Sequence, residues 1–211
     1  MKYTALIVAA GAGTRMGLGY NKAYYRMDDG ETILAHSIER FGNDPDCESI
    51  VVVTDPDMFR QEIGITDERI IVVSGGSTRE DSVWNGLRKV KSDIVMIHDG
   101  ARPFLSAESL NALKETMRSE RAACLMVPCK DTIKIVKDGF IETTLPRSEL
   151  MAAQTPQCFE TSLLLACMEK SRAAGFAATD DCSIVEAFSD VKIRVVEGSY
   201  ANKKITTVED L

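Results

Sequence analysis

The stretch of the chain that decides the fold is residues 5–22, ALIVAAGAGTRMGLGYNK. It opens with an apolar run, residues 5–10, which is short enough for a buried strand. The loop that follows contains Gly11, Gly13, Gly17 and Gly19. Glycine lets the backbone turn sharply and come close to a ligand, and successive N–H groups form a concavity suited to phosphate oxygens. Because Arg15 and Lys22 add two cations, the stretch predicts a triphosphate cradle, with an ordinary strand–helix turn as the alternative.

The glycine spacing fits neither of two familiar nucleotide-binding motifs. In a Walker P-loop the second glycine follows the first by five residues and precedes a lysine, whereas Gly17 follows Gly13 by four and precedes Leu18. The dinucleotide fingerprint requires a third glycine where Met16 stands, and the acidic residue expected about twenty positions on is missing from a strand end. The remaining pattern, Ala-Ala-Gly-x-Gly-x-Arg-Met-Gly with a lysine shortly after, resembles the nucleotidyltransferases that join a sugar phosphate to a nucleoside triphosphate.

Length and composition are those of one globular domain, residues 1–211, with a full hydrophobic core. The net charge of −7 argues against a nucleic-acid-binding surface, so an anionic ligand must be met by cations gathered locally. No apolar run approaches the roughly twenty residues of a membrane span. Residues 1–4 lead straight into a strand, which predicts no signal peptide. The six cysteines are scattered, as expected for a reduced cytoplasmic protein without a metal site or disulfides.

Predicted strands and helices alternate along most of the chain. Buried strands are predicted at residues 49–54, 70–74, 94–97, 122–128 and 192–196. Helices are predicted to be capped by Thr32, Thr78, Ser106, Thr161 and the pair Thr179-Asp180. Such alternation indicates βαβ units on a parallel sheet. The predicted fold class is therefore α/β, a Rossmann-like, mostly parallel sheet flanked by helices, with a protruding β-hairpin arm.

The arm is predicted from residues 131–145, which depart from this alternation. Two segments with strand-like alternation, residues 132–136 and 140–144, flank the turn Lys-Asp-Gly at residues 137–139. A hairpin of this size is only marginally stable alone, so we expect it to pack on another subunit, with a dimerisation arm at about residues 131–150. A short helix is expected from Ser148, and another is expected to begin at Val208 and to continue past the last residue.

Four polar elements follow predicted strands: residues 11–22, 75–82, 98–102 and 202–204. Ligands of open α/β sheets bind outside the carboxyl ends of the strands, so we expect these elements to share one site. Asp99 could hold a hydroxyl or a metal, or cap the loop that follows it. Arg102 and Arg147 suit a phosphate, with a surface salt bridge as the alternative. His98 ends a buried strand, where a hydrogen-bonding role is favoured over catalysis.

Eight segments occur in the order typical of one family: AAGAGTRMG from residue 9, GGSTREDSV from 75, HDGARP from 98, DTIK from 131, PR at 146, QTPQCF from 154, TD at 179 and KIT from 204. By these segments the chain resembles the 2-C-methyl-D-erythritol 4-phosphate cytidylyltransferases, a family of sugar-phosphate nucleotidyltransferases. Ribitol-5-phosphate cytidylyltransferase is the alternative within the wider family, and the contexts of Thr132 and Arg147 favour the methylerythritol enzymes. One departure is Asn21, where the family usually has proline. We expect this change to weaken the rigid positioning of Lys22 while keeping its charge.

The resemblance implies a nucleotide-binding fold, a homodimer clasped by the arm, and Mg²⁺ held mainly through the CTP phosphates rather than by dedicated protein ligands. It implies that Arg15, Lys22 and Lys204 are catalytic. The other residues implied to hold CTP are Ala9, Ala10, Gly11, Gly13, Gly75, Gly76 and Ser82. The residues implied to hold the sugar (polyol) phosphate, together with Lys204, are Asp99, Arg102, Thr132, Arg147, Thr155 and Thr179, those of the arm being supplied to the partner subunit.

The mechanistic hypothesis is direct displacement, in which a phosphate oxygen of the sugar phosphate attacks the α-phosphorus of CTP and pyrophosphate leaves. Two interpretations from other classes stay open. The failed fingerprint argues against an NAD-dependent oxidoreductase. The joint presence of Arg15, Lys22 and Lys204 argues against a non-catalytic nucleotide-sensing module.

Overall fold

A sheet with flanking helices follows the alternation seen in the sequence. The computed structural model of the chain describes residues 1–11 and 19–210. Within these residues the strands are β1 (Tyr3–Val8), β2 (Cys47–Thr54), β3 (Ile70–Ser74), β4 (Ile94–Asp99), β5 (Ala122–Pro128), β6 (Lys134–Lys137), β7 (Phe140–Thr144), β8 (Met151–Glu160) and β9 (Arg194–Glu197). The α-helices are α1 (Ile33–Gly42), α2 (Pro56–Glu62), α3 (Arg79–Leu87), α4 (Ala107–Thr116), α5 (Thr161–Ala174) and α6 (Asp181–Phe188). Short 3₁₀ turns lie at Lys22–Tyr24, Arg147–Glu149 and Val208–Asp210.

The main sheet has seven strands in the order β3-β2-β1-β4-β8-β5-β9. Strand β1 pairs in parallel with both β2 and β4, and the pairs β2–β3 and β5–β9 are parallel as well. Strand β8 is antiparallel to its neighbours β4 and β5. The prediction of a mostly parallel α/β sheet flanked by helices is confirmed.

The strand order reverses beside β1. The chain proceeds outward from β1 to β2 and β3, and β4 then returns to the other side of β1. In open α/β sheets this reversal opens a crevice outside the carboxyl ends of the two strands, and ligands bind there. Val8 and Asp99, the last residues of β1 and β4, are direct neighbours in the parallel register. The fold therefore places the residues that directly follow β1 and the polar residues at the end of β4 at one crevice.

Each face of the sheet buries its own hydrophobic cluster. Successive strand residues point to opposite faces, so Ala5 and Ile7 pack in the cluster with α1, α2 and α4, whereas Leu6 packs in the cluster with α3, α5 and α6. Helix α3 lies especially close to the sheet. A Cβ atom at Gly86 would stand 2.6 Å from Cγ2 of Val53, so glycine is what allows this approach. The close packing sets how near the last turn of α3 lies to β1 and β2.

Most of the predicted helix caps are confirmed. The side chains of Thr32, Thr78, Ser106 and Asp180 each accept a hydrogen bond from the backbone N–H three residues on. The prediction for Thr161 is wrong, because it is the first helical residue of α5 and its hydroxyl donates to the carbonyl oxygen of Ser92 at 2.8 Å. Helix α5 therefore begins directly at the end of β8, with no capping turn between them.

The sequence does not indicate strand β8, and the prediction of a helix from Ser148 is wrong beyond the 3₁₀ turn Arg147–Glu149. The segment contains an Ala-Ala-Gln sequence of low β-propensity and Pro156, which cannot donate a ladder hydrogen bond. The register between β5 and β8 shifts between Cys124 and Met126, opposite this proline. Sheets tolerate proline at such irregularities. The tertiary pairing with β4 and β5 thus overrides a weak local preference.

Strands β6 and β7 form the predicted arm as a separate two-stranded sheet. Asp138 and Gly139 make its turn with φ values of 50° and 84°, as a two-residue hairpin loop of the favoured type requires. Strand β6 begins at Lys134, two residues later than predicted. Every residue of both strands is exposed, and Phe140 reaches 78% exposure. The hairpin is confirmed, and its apolar side chains are not covered by the described part of this chain.

No helix among the described residues has the length and apolarity needed to cross a membrane. The expectations of a single domain over residues 1–211 and of a cytoplasmic location stay predictions.

Candidate active site

A cavity of about 560 Å³ opens outside the carboxyl ends of β1 and β4. Its described walls come from these strand ends, from the 3₁₀ turn Lys22–Tyr24, from the loop and first turn of α3, and from the segment after β9. All four polar elements that the sequence places at one site contribute to it. The predicted site residues that line this cavity are Ala9, Ala10, Gly11, Lys22, Gly76, Ser82, Asp99 and Lys204.

The remaining predicted site residues divide into three groups. Gly13 and Arg15 lie outside the described residues. Gly75, Arg102 and Thr155 do not line the cavity but contact residues that do. The exposed residues Thr132, Arg147 and Thr179 do not line it either, and Arg147 donates to the carbonyl oxygen of Lys130 at 3.1 Å. The roles predicted for all of these residues stay predictions.

The loop after β3 packs directly on the loop after β1. A Cβ atom at Gly75 would collide with the Cβ of Ala10. The contact between the two loops is therefore a sufficient reason for glycine at this position. The buried hydroxyl of Ser82 accepts from the N–H of Gly76 at 3.0 Å and donates to the carbonyl of Thr78 at 2.9 Å. Ser82 therefore holds the shape of this loop. Gly11 differs, because nothing lies within 4 Å of the place where its Cβ would stand.

Lys22 reaches from its 3₁₀ turn to the segment after β9. Its Nζ donates to the carbonyl oxygen of Ile205 at 2.6 Å, and the N–H of Ile205 donates to the carbonyl of Ala101 at 2.9 Å. The preceding residue, Lys204, places its Nζ 2.9 Å from the carboxylate of Asp99. One short segment therefore ties both lysines to the end of β4, although they are far apart in sequence.

Asp99 balances three cations. Its carboxylate lies 2.9 Å from Lys204, 3.6 Å from Arg102 and 3.8 Å from Arg79. Burial by itself raises the pKa of this carboxyl, but the charge of Lys204, the charge of Arg79, the hydrogen bond from Lys204 and the charge of Arg102 together lower the pKa of Asp99 to about 2. Asp99 is therefore ionised at neutral pH. It is the one acidic side chain among the described residues that line the cavity.

Arg79 is a cavity cation that the sequence analysis missed. It is the first residue of α3, and it donates to both carboxylate oxygens of Asp181 at 3.1 and 2.7 Å. The side chain of Asp181 is 1% exposed. Burial lowers the pKa of Arg79, but the charge and hydrogen bonds of Asp181 and the charge of Asp99 outweigh it and raise that pKa. A signal for this residue existed, since Arg79 lies inside the element of residues 75–82 that the sequence places at the site.

Thr155 and His98 form a buried hydrogen-bond chain with the backbone of Asp99. The N–H of Asp99 donates to Oγ1 of Thr155 at 3.0 Å, and this oxygen lies 3.1 Å from Nδ1 of His98. Nε2 of His98 lies 3.0 Å from the carbonyl oxygen of Arg102, which can only accept, so Nε2 carries the proton and Nδ1 accepts from the Thr155 hydroxyl. Burial lowers the pKa of His98 to about 4. The predicted hydrogen-bonding role of His98 is confirmed.

The described cavity wall is positively charged in a chain whose net charge is −7. Three cations, Lys22, Lys204 and Arg79, line the cavity together with one carboxylate, that of Asp99. Fixed cations in a concave site attract anions and stabilise them through charge-assisted hydrogen bonds. The local gathering of cations that the sequence requires for an anionic ligand is thus present.

Fold and site together define an α/β protein with an anion-receptive crevice at the switch point of its sheet, the place where such folds bind nucleotides. The model of the family 2-C-methyl-D-erythritol 4-phosphate cytidylyltransferase (IspD) matches residues 3–211. The chain belongs to this family, and the resemblance noted in the sequence is confirmed.

Individual relatives agree with this assignment. A 2-C-methyl-D-erythritol 4-phosphate cytidylyltransferase of Geobacillus thermodenitrificans is 41% identical over 217 residues, which cover 100% of this chain and 94% of that protein. Its namesake from Halalkalibacterium halodurans is 40% identical over 218 residues, with 100% and 94% covered. The crystal structure of a Francisella tularensis protein of the same name matches with a TM-score of 0.88 at 32% identity, covering 100% of this chain and 96% of that one.

The buried imidazole of His98 predicts a loss of stability in mild acid. Because its folded-state pKa of about 4 lies below the ordinary value of about 6.5, His98 contributes stability that is full above about pH 6.5 and is lost as the pH falls toward 4. As the pH falls from about 7 to about 5, this effect lowers the free energy of unfolding of the unsubstituted chain. In His98→Gln we expect that decrease to be smaller by about 2 kcal/mol. Urea denaturation at a series of pH values measures the difference.

His36→Gln is the control for this experiment, since it removes the other imidazole of the chain, which contacts Asp29 away from the cavity. Parallel pH profiles for His98→Gln and the unsubstituted chain would show that His98 titrates normally in the folded protein.

Proposed function

We propose that this chain is a cytidylyltransferase that transfers CMP from CTP to 2-C-methyl-D-erythritol 4-phosphate, releases pyrophosphate and serves isoprenoid precursor biosynthesis. The observation that carries the proposal is the convergence of Lys22, Lys204 and Arg79 on one cavity at the switch point of the sheet. Both substrates are polyanions, and a chain with a net charge of −7 needs such fixed cations to hold them. Family membership supplies the identity of the cytidylyl donor and of the acceptor.

The reaction is a single displacement at phosphorus. A phosphate oxygen of the sugar phosphate attacks the α-phosphorus of CTP, and the new P–O bond forms as the bond to the β-phosphate oxygen breaks. Pyrophosphate leaves with the electron pair. The nucleophile is already an anion at neutral pH, so the reaction needs neither a general base nor a covalent enzyme intermediate. Catalysis consists of positioning the two phosphates and stabilising the charge that develops on them.

Lys22 neutralises charge on the triphosphate in this mechanism. Its position supports the role, because it lines the same cavity as Gly11, where nothing lies within 4 Å of the place of a Cβ atom. Arg15 acts with Lys22 on the leaving group, a role that rests on the resemblance alone because Arg15 lies outside the described residues. Lys204, anchored on Asp99, holds the acceptor phosphate.

Mg²⁺ accompanies the CTP in this proposal. The described residues contain no group of three or more His, Cys, Asp or Glu side chains that could bind a metal by themselves. Asp99 is the carboxylate that the described cavity wall offers, and Lys204 already engages it. This donor set fits Mg²⁺, which keeps several waters and binds through one or two carboxylates plus substrate phosphates. The ion would neutralise part of the triphosphate charge, with CTP phosphates and water as its main ligands and Asp99 as the available protein contact.

The active form is a homodimer in which each arm packs on the other subunit. The arm supports this proposal because its apolar side chains have no cover, with Phe140, Ile141 and Val136 exposed by 78%, 65% and 59%. A two-stranded ribbon is marginal alone and gains stability by packing. Arg147 follows the second arm strand and lies outside the cavity of its own chain, so the dimer brings it to the phosphate of the substrate bound by the partner.

A pyrophosphate-release assay tests the reaction. It crosses CTP, UTP, ATP and GTP with 2-C-methyl-D-erythritol 4-phosphate and with ribitol 5-phosphate. We expect release with CTP and the methylerythritol substrate, and weak use of UTP. Backbone groups near Ala10 and Gly75 can accept from the cytosine amine, whereas uracil presents an acceptor there, and an unpaired buried group costs about 1–3 kcal/mol. Preference for ribitol 5-phosphate would move the assignment to the related cytidylyltransferases, and absence of release in every combination would contradict an enzyme of this class.

The proposal predicts that Lys22→Ala lowers kcat by about 100-fold while KM for CTP changes by less than about threefold. The reason is that charge builds on the phosphates in the transition state, where this cation stabilises it most. Steady-state kinetics with CTP varied give both parameters, and thermal unfolding checks that the variant is folded. Lys203→Ala is the matched control, because Lys203 is exposed and does not line the cavity. A raised KM with an unchanged kcat would contradict the assigned role of Lys22.

The dimer predicts that two inactive variants rescue each other. Arg147→Ala and Lys22→Ala subunits, each poorly active alone, should regain activity when mixed, because a heterodimer has one site with both lesions and one site with neither. Random exchange should give about a quarter of the unsubstituted activity at equal subunit ratio. Mixed-subunit activity is measured after exchange has been verified by mass spectrometry of differently tagged chains.

Lys22→Ala mixed with Lys204→Ala is the control, because both lysines line the cavity of one chain and every heterodimer site then keeps one lesion. Failure of the Arg147–Lys22 mixture to recover, with exchange verified, would show that Arg147 does not act across the subunits.

A further inference from the structure

Asn21 directly precedes Lys22 and caps its 3₁₀ turn. The Oδ1 atom of Asn21 accepts a hydrogen bond from the N–H of Ala23 at 3.0 Å. Its backbone has φ −67° and ψ 119°, a conformation that leads the chain into the turn. The φ value is the one that a proline ring imposes, about −65°. Asparagine thus adopts by hydrogen bonding a geometry that proline fixes covalently.

The other half of the Asn21 amide reaches the residue that follows β1. Its Nδ2 donates to the carbonyl oxygen of Ala9, which directly follows β1. Ala9 is itself held, because it is buried and its N–H donates to the carbonyl of Val53 at 2.8 Å. Asn21 therefore ties the turn that carries Lys22 to a buried, hydrogen-bonded part of the cavity wall. The tie lies inside the crevice, since Ala9, Asn21 and Lys22 all line it.

Lys22 is fixed at both ends as a result. Its backbone is clipped to β1 through Asn21, and its Nζ donates to the carbonyl oxygen of Ile205 at 2.6 Å. A long side chain such as lysine loses much rotamer freedom when it is ordered. Because the backbone and the Nζ of Lys22 are already held, less conformational entropy is lost when the side chain binds the substrate. Cations that are already in place stabilise developing charge more effectively than cations that must be moved there.

We propose that Asn21 is a positioning residue for Lys22, and that its amide clip to Ala9 sets the place of the Lys22 ammonium in the cavity. This inference rests on the proposed function, in which Lys22 stabilises charge on the triphosphate. It replaces the expectation from the sequence that asparagine at this position loosens Lys22. The two hydrogen bonds of the amide restrain the backbone at Asn21, as a proline ring would.

The two halves of the amide can be separated by substitution. Asn21→Ser keeps a good capping oxygen for the N–H of Ala23, because serine and asparagine are comparable at such positions, but it is too short to reach Ala9. Asn21→Pro removes both side-chain hydrogen bonds and imposes the observed φ through the ring. We expect Asn21→Ser to lower kcat about tenfold with KM for CTP changed by less than about twofold, and Asn21→Pro to recover most of that kcat.

A double-mutant cycle tests whether Asn21 acts through Lys22. In the Lys22→Ala background, Asn21→Ser should have no further effect on kcat, because the cation that it positions is absent. Thermal unfolding of each variant provides the second measurement. A positioning role predicts that kcat changes without a matching loss of stability, whereas a merely structural role predicts the reverse.

Failure of the inference and failure of the proposed function give different results. If Lys22→Ala is strongly impaired but Asn21→Ser keeps full kcat, or lowers it equally with and without Lys22, the positioning role of Asn21 is wrong and the proposed function stands. If Lys22→Ala itself keeps full kcat, the role assigned to Lys22 is wrong and the inference falls with it.

Discussion

The parallel pairing of β1 with β4 is the constraint on which the rest of the structure depends. The register places Val8 beside Asp99, so the chain leaving β1 starts next to the acidic side chain of the described cavity wall. The turn that carries Lys22 and the segment that carries Lys204 are each fastened to one of these two strand ends. Asn21 is tied to Ala9 after β1, and Ile205 is bonded to Ala101 after β4. A site assembled from such distant parts of the chain needs a rigid reference, and the two central strands provide it.

Cations gathered in one cavity repel each other. The fold offsets this repulsion with two buried carboxylates, Asp99, which lines the cavity, and Asp181, which does not. Two unit charges about 4 Å apart interact by about 4 kcal/mol at an effective dielectric constant near 20, so nearby charges of opposite sign offset a substantial repulsion. Asp99 faces the cavity between Lys204 and Arg79, whereas Asp181 lies behind the wall and holds Arg79 through both its oxygens. A buried ion pair contributes little net stability but fixes the geometry of its members. Arg79 is thereby oriented without using the carboxylate that faces the cavity.

The sequence predicts those features that depend on local chemistry. The strands, the caps at Thr32, Thr78 and Ser106, and the arm turn at Asp138-Gly139 are recognisable because the signal and the structure involve the same few residues. The gathering of the polar elements follows from the rule for strand ends and is also recovered. Three features that depend on contacts between distant parts of the chain are not predicted from the sequence. Strand β8 depends on partners on both sides, Arg79 depends on an aspartate far along the chain, and Asn21 depends on the carbonyl oxygen of Ala9.

Some of the residues that the family pattern predicts for the site lie outside the cavity of a single chain. The proposed packing of the arm on a second subunit gives a physical reason. The cavity of a single chain contains most of the residues predicted for CTP, whereas Thr132 and Arg147, predicted for the sugar phosphate, lie exposed outside it. A two-stranded ribbon with uncovered apolar side chains is marginal until it packs on another surface. In the proposed dimer, the packing that covers Phe140 and Ile141 also fixes the chain that leads to Arg147. In that dimer, stabilising the arm and completing the acceptor subsite are one event, because one subunit supplies Asp99 and Lys204 and its partner supplies Arg147.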